Sequence, residues 1–252
     1  MMIESKNLFE INEISKIYER KIALSSLSIT IKKGELIALI GPSGAGKTTL
    51  LNILANVLKP DSGEMILDKK PLESYNTVKD FAKKVGIIRQ QFDLVGQLPV
   101  IHNVLAGRLS EWGFFRSLIS LLVPQEKDLA LKALERVGLS DKIYERTSNL
   151  SGGEQQRVAL ARLLVQRPEV ILADEPVASL DPARSEDVLS MLTKLAREEE
   201  ETLVASLHNA NYAKKYFHRV IALREGKVYF DLPSEEVTEE VLSKLYEIKE
   251  LS

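Results

Sequence analysis

Apolar and polar positions alternate with a short period from Leu8 to Ile31, in FEINEISKIY and then ALSSLSITI. Such segments bury one face and expose the other, which predicts strands and a small antiparallel sheet at the start of the chain. The pattern then changes, because Leu36-Ile-Ala-Leu-Ile40 is apolar without interruption. A strand covered on both faces requires that. A glycine-rich stretch comes next, and from Thr49 to Leu58 leucine, isoleucine and valine recur at helical spacing. The predicted order is strand, loop, helix.

The turn PDSG at 60–63 closes this unit, and a short strand is expected from Val85 to Ile88. Between about residues 92 and 150 the period becomes helical, with Leu129, Leu131, Leu134 and Val137 set among charged residues. A helical insertion is expected there. Val170-Ile-Leu-Ala173 is a second strand of the buried kind, and Val188, Met191, Leu192 and Leu195 share one helical face. Thr202 to Leu207 and Val220 to Leu223 supply further strands, and the acidic run at 198–201 reads as a solvated helix end.

A chain of 252 residues, 44% hydrophobic, can bury one α/β core with a sizeable insertion. Its 34 basic and 36 acidic residues nearly cancel, which argues against a dedicated nucleic-acid surface. The absence of cysteine excludes disulfide and thiol chemistry. The start, MMIESKNLFEINEI, carries acidic residues where a signal peptide needs positive charge, so the chain is expected to stay where it is made. The apolar FFRSLISLLV at 114–123 is interrupted by Arg116 and falls short of the roughly 20 residues that span a bilayer. Any membrane role is expected to come through a partner, and this segment is expected either to line that contact or to be half-buried core.

The glycine-rich stretch fits G-x-x-x-x-G-K-[ST] as Gly41, Pro42, Ser43, Gly44, Ala45, Gly46, Lys47 and Thr48, followed by Thr49. Glycines let successive N–H groups turn inward around an anion, and the helix that starts there aims its positive end at the same point. Lys47 would reach the β- and γ-phosphates of a nucleotide, and the Thr48 hydroxyl would bind Mg²⁺. A chance match in a chain of this length is roughly a one-in-a-hundred event, and the preceding apolar strand lowers that further. Mg²⁺ in such a site needs a carboxylate from a neighbouring strand end. Asp174 in VILADEP supplies it, and Glu175 beside it can polarise a water.

Leu150-Ser-Gly-Gly-Glu-Gln155 repeats the logic: Ser151, Gly152 and Gly153 open the amphipathic EQQRVALARLLVQR. A simple helix cap needs only the serine. The paired glycines imply that something approaches the backbone closely.

Taken together, the phosphate loop, LSGGEQ, and DEP followed by SLD at 179–181 resemble the ATP-binding cassette of ABC transporters over essentially the whole chain. The resemblance implies an α/β fold: a P-loop NTPase (RecA-like) core with an N-terminal antiparallel β-subdomain and an inserted α-helical subdomain. The core would comprise 1–91 and 162–252, and the helical part about 92–161, carrying LSGGEQ. It implies a head-to-tail dimer in which each ATP lies between the phosphate loop of one copy and Ser151, Gly152 and Gly153 of the other. Tyr18 matches the aromatic that stacks on adenine. Gln90 matches the glutamine that touches Mg²⁺ or the water, with Gln91 its rival. His208 matches the histidine that contacts the γ-phosphate, and Asp181 the residue that crosses the dimer interface; His102 and His218 are left as surface or packing residues. Implied partners are membrane-embedded permease subunits on the cytoplasmic face and, indirectly, an extracytoplasmic solute-binding protein, with no nucleic acid.

Within the family, LVGQLPVIHNVLAGRL, ADEPVASLDP and Lys-Val-Tyr-Phe-Asp at 227–231 resemble the ATPase subunit of bacterial phosphonate importers. Ser206 stands where that subfamily usually has asparagine, Glu154 where glutamine is common and Leu232 where glycine is frequent. These departures are expected to bear on the cargo and to leave the ATPase machinery intact. The expected reaction is Mg²⁺-dependent ATP hydrolysis powering import of phosphonate or a related phosphorus oxyanion. The alternatives are a soluble cassette acting on a protein or cofactor-assembly partner, and an importer for another small solute.

Overall fold

The two alternating segments fold as β1 (Asn7–Tyr18) and β2 (Lys21–Lys32), paired antiparallel, in a computed structural model that describes residues 6–19, 21–75, 77–89, 92–178 and 180–247. The uninterrupted run becomes β3 (Leu36–Ile40), and the glycine loop leads into α1 (Lys47–Leu54). This helix stops four residues short of the predicted Leu58. Asn56 takes a left-handed conformation (φ 53°), a geometry that ends helices, and Val57 is left exposed.

Next come β4 (Ser62–Leu67), β5 (Lys70–Pro71), α2 (Val78–Ala82) and β6 (Val85–Ile88). The helical region holds α3 (Val100–Leu105), α4 (Phe114–Leu122), α5 (Lys127–Arg136) and α6 (Gly152–Gln166). The chain then forms β7 (Val170–Ala173), α7 (Pro182–Glu198), β8 (Thr202–Ser206) and α8 (Ala210–Tyr216). It closes with β9 (Arg219–Arg224), β10 (Lys227–Pro233) and α9 (Glu239–Tyr246).

A four-stranded sheet in the order β2-β1-β4-β5 stands against a six-stranded one in the order β10-β9-β3-β8-β7-β6. In the second sheet only β10 runs antiparallel to its neighbour. The buried strands serve two cores at once. Leu36, Ala38 and Ile40 of β3 face the core shared with α3, α5, α6 and α7, while Ile37 and Leu39 face the core shared with α1 and the antiparallel sheet. Period-two geometry on a sheet covered on both sides therefore accounts for the unbroken apolar runs.

The structure decides between two alternatives and corrects one expectation. Of the two places expected for the α4 segment, half-buried core is excluded: Phe115 is 78% and Leu122 84% exposed, with Phe114, Leu118, Ile119 and Leu121 also outward, while Ser120 faces the protein. The anchor is Trp112, buried just before the helix, with the Arg116 guanidinium 5.1 Å above its ring. The acidic run is not wholly solvated either. Glu198 and Glu199 pair with Arg136, but Glu201 is buried between α7 and β8, and burial together with the Glu199 charge pushes its carboxyl up to about 8.

Candidate functional site

Three neighbouring parallel strands, β3, β8 and β7, end on one edge of the core sheet. Ligands of open α/β sheets bind outside such strand ends. Gly41 to Thr49 follow β3, Asp174 and Glu175 follow β7, and His208 follows β8 by two residues.

Gly41 has φ 143°, and a Cβ there would lie 2.1 Å from the Leu223 carbonyl oxygen, so no other residue fits. The loop wraps round its own lysine: the buried Lys47 ammonium donates to the carbonyls of Gly41 at 2.8 Å and Pro42 at 3.2 Å. Burial lowers the Lys47 pKa, opposed by the charges of Glu175 and Asp174. The Thr48 hydroxyl donates to Asp174 Oδ1 at 3.2 Å. Hard oxygen donors thus converge from two elements, a donor set that fits Mg²⁺ held by one or two protein oxygens and the phosphates of a nucleotide.

Tyr18, Ser43, Gly44, Ala45, Gly46, Lys47, Thr48, Thr49, Glu175 and His208 line one cavity of about 310 Å³. Tyr18 sits at the end of β1 with 46% of its surface exposed, and Lys21 at the start of β2 lines the same cavity. His208 Nε2 lies 2.6 Å from Glu175 Oε1. Glu175 has a left-handed backbone (φ 49°), and its N–H donates to Ser206 Oγ at 2.8 Å. Ser206 Oγ in turn donates to Asp174 Oδ1 at 2.7 Å. Ser206, one of the departures expected to leave the ATPase machinery intact, therefore bonds directly to both acidic residues.

Ser151 caps α6 in a reciprocal arrangement with Glu154. The Ser151 N–H and hydroxyl both donate to Glu154 Oε2 at 2.8 Å, and Glu154 N–H returns to Ser151 Oγ at 3.4 Å. These bonds hold the Glu154 carboxyl below its usual range. Glu154 thus also engages a site residue directly. Among the described residues outside the helix's own backbone, a Cβ on Gly152 or Gly153 would meet nothing within 4 Å. Ser151 and Gly153 line a separate cavity of about 320 Å³ with Gly138, Arg157 and Arg184. Asp181 caps α7, accepting from Arg184 N–H at 3.1 Å, and lines neither cavity.

The predicted residues are thus divided within one chain: Tyr18, most of the phosphate loop, Glu175 and His208 share one cavity, Ser151 and Gly153 another, and Asp181 lines neither. Gln90, its rival Gln91 and Ser179 lie outside the described residues. Sequence reading missed the roles of Lys21 and Ser206. The available signal for Ser206 was a hydroxyl ending an otherwise apolar strand, TLVAS.

Residues 24–178 match the ABC transporter family. The chain is 40% identical over 242 residues to phosphonates import ATP-binding protein PhnC 1 of Halalkalibacterium halodurans, covering 95% of this chain and 94% of that protein. It is 43% identical to phosphonates import ATP-binding protein PhnC 1 of Nostoc sp., covering 94% and 91%. Among solved structures it resembles cbiO1 of Clostridium perfringens, part of the ABC transporter complex cbiONQ, with TM-score 0.80 and 27% identity over 96% and 94% of the two chains. It also resembles the cassette MJ0796 in a dimeric post-hydrolysis state bound to ADP and Pi, with TM-score 0.74 and 30% identity over 90% and 99%.

Proposed function

The chain belongs to the ABC transporter family, and from that membership we propose that it hydrolyses ATP to power an importer of phosphonate or a related phosphorus oxyanion. It acts as a head-to-tail pair in which each nucleotide lies between the phosphate loop of one copy and Ser151, Gly152 and Gly153 of the other. The observation that carries this reading is the separation of the two loops into different cavities of one chain. A second copy completes each site.

Tyr18 stacks on the adenine, and the loop from Gly41 to Thr49 holds the phosphates with its N–H groups. The Lys47 ammonium exchanges its carbonyl partners, Gly41 and Pro42, for phosphate oxygens. The Thr48 hydroxyl and the Asp174 carboxylate, together with Gln90, would hold Mg²⁺, which when bound would neutralise charge on the transferring phosphate. Glu175 orients the attacking water, and the His208 ring, 2.6 Å away, fixes that carboxylate and faces the γ-phosphate. Ser151 of the opposite copy donates its hydroxyl to the same phosphate, and Asp181 lies at the contact between copies.

We read the chain as one ATPase domain, with a core of 1–91 and 162–252 and a helical part of about 92–161. The continuous α6 joins the two parts stiffly. No helix among the described residues is long and apolar enough to cross a membrane, so transport requires separate permease subunits, met at the cytoplasmic face and fed by a solute-binding protein. The outward apolar row on α4 supports contact with such subunits.

A Glu175→Gln variant tests the pairing, with turnover expected to fall roughly 100-fold while ATP binding persists. In that background, cysteines at positions 43 and 152 should crosslink between chains when ATP is present. Crosslinks formed only within single chains would overturn the shared site. For the cargo, the reconstituted transporter should raise its ATPase rate when its binding protein carries a phosphonate; stimulation by unrelated solutes alone would reject that assignment.

A further inference from the structure

We propose that Ser206 is a positioning residue that locks the Mg²⁺ carboxylate and the water-orienting carboxylate into one unit. The inference rests on the roles given above to Asp174 and Glu175. Ser206 is the last residue of β8, fully buried, between the ends of β3 and β7. Its hydroxyl is used in both directions, donating to Asp174 Oδ1 at 2.7 Å and accepting from the Glu175 N–H at 2.8 Å.

Each bond has a separate consequence. Asp174 Oδ1 receives two hydroxyls, from Ser206 and from Thr48, so the carboxylate cannot rotate freely about its Cβ–Cγ bond. The Glu175 N–H is pinned where the backbone is left-handed, a conformation that non-glycine residues hold only when their surroundings impose it. That turn is what carries the Glu175 side chain to His208. Alanine at 206 would leave a part-buried N–H without its partner and let both carboxylates drift. Threonine retains the hydroxyl, and asparagine offers both a donor and an acceptor at the end of a longer arm.

Three variants, Ser206→Ala, Ser206→Thr and Ser206→Asn, are compared in the full transporter. Ser206→Ala should lower kcat about 10- to 100-fold, the range expected from misplacing reacting groups, and change KM for ATP less than about 3-fold. Ser206→Thr should restore most of kcat. A second arm needs no hydrolysis: in the Glu175→Gln background, Ser206→Ala should raise the Mg²⁺ concentration for half-maximal ATP-dependent dimerisation several-fold, and Ser206→Thr should reverse it. Ser206→Ala with kcat and Mg²⁺ requirement within about 2-fold of the parent overturns the proposal. So does an equal loss in the alanine and threonine variants that tracks a lowered Tm. Wild-type protein without ATPase activity would strike the ATPase reading, while the Mg²⁺ arm would still decide the role of Ser206.

Discussion

The two glycine-bearing loops look alike in sequence and differ in what their glycines answer to. In the loop after β3, the chain itself demands glycine: a Cβ at Gly41 would strike the Leu223 carbonyl, and the loop closes on its own buried lysine. In the loop before α6, nothing among the described residues outside the helix's own backbone lies within 4 Å of where a Cβ on Gly152 or Gly153 would stand, and the helix cap is complete through Ser151 and Glu154 alone. The first loop is thus preformed by its own fold, and the second is the surface we propose for another copy's nucleotide.

The sharpest way to break this comparison is the same substitution in both loops. Gly41→Ala should destabilise the protein by more than about 4 kcal/mol, or prevent folding, as measured by thermal denaturation. Gly153→Ala lies at the start of α6 in open space. It should leave stability unchanged or raise it by up to about 1 kcal/mol, because alanine favours helix over glycine, while ATP-driven dimerisation is lost. Equal destabilisation by both would remove the distinction between the loops.

Charge provides a second contrast, between the buried Lys47 inside the cradle and the buried Glu201 away from both loops. Folded protein keeps the Glu201 proton to about pH 8, whereas the unfolded chain releases it near the ordinary carboxyl value of 4.5. The folded state thus binds more protons between those values, so this contribution to stability is fully present below 4.5 and is lost as pH rises through 8. Glu201→Gln should abolish that decline and stabilise the protein at pH 8 to 9 by about 1–3 kcal/mol, with little effect near pH 4.5, as read from urea midpoints across pH. A Gln variant whose pH profile parallels the wild type would show that Glu201 is ionised where it sits. The smallest effect is expected at the α6 cap. Ser151→Ala should cost about 1 kcal/mol of stability and leave ATP binding by the isolated chain unchanged, because that cavity is lined by other residues. Weakened ATP binding by the monomer would mean that the two loops are not separate.

Much of the site was legible along the chain because its parts are local. The phosphate loop needs residues in consecutive order between a strand and a helix, and Asp174 and Glu175 need only the end of a buried run. Helix ends were less legible: Leu58 continued the apolar spacing, but the left-handed Asn56 had already ended α1. The choice between an outward and a half-buried α4 stayed open, and the burial of Glu201 escaped, because amphipathic and charged patterns record a residue's own chemistry, not what packs beside it.

By itself the sequence determined which strands lie under cover and where two glycine-bearing loops open helices. Only the tertiary structure decided that β8 lies between β3 and β7, and so that Ser206 reaches residues 32 and 31 positions away. The reason is physical: backbone spacing is set by covalent neighbours, whereas the order of strands in a sheet is set by how all the faces are buried together.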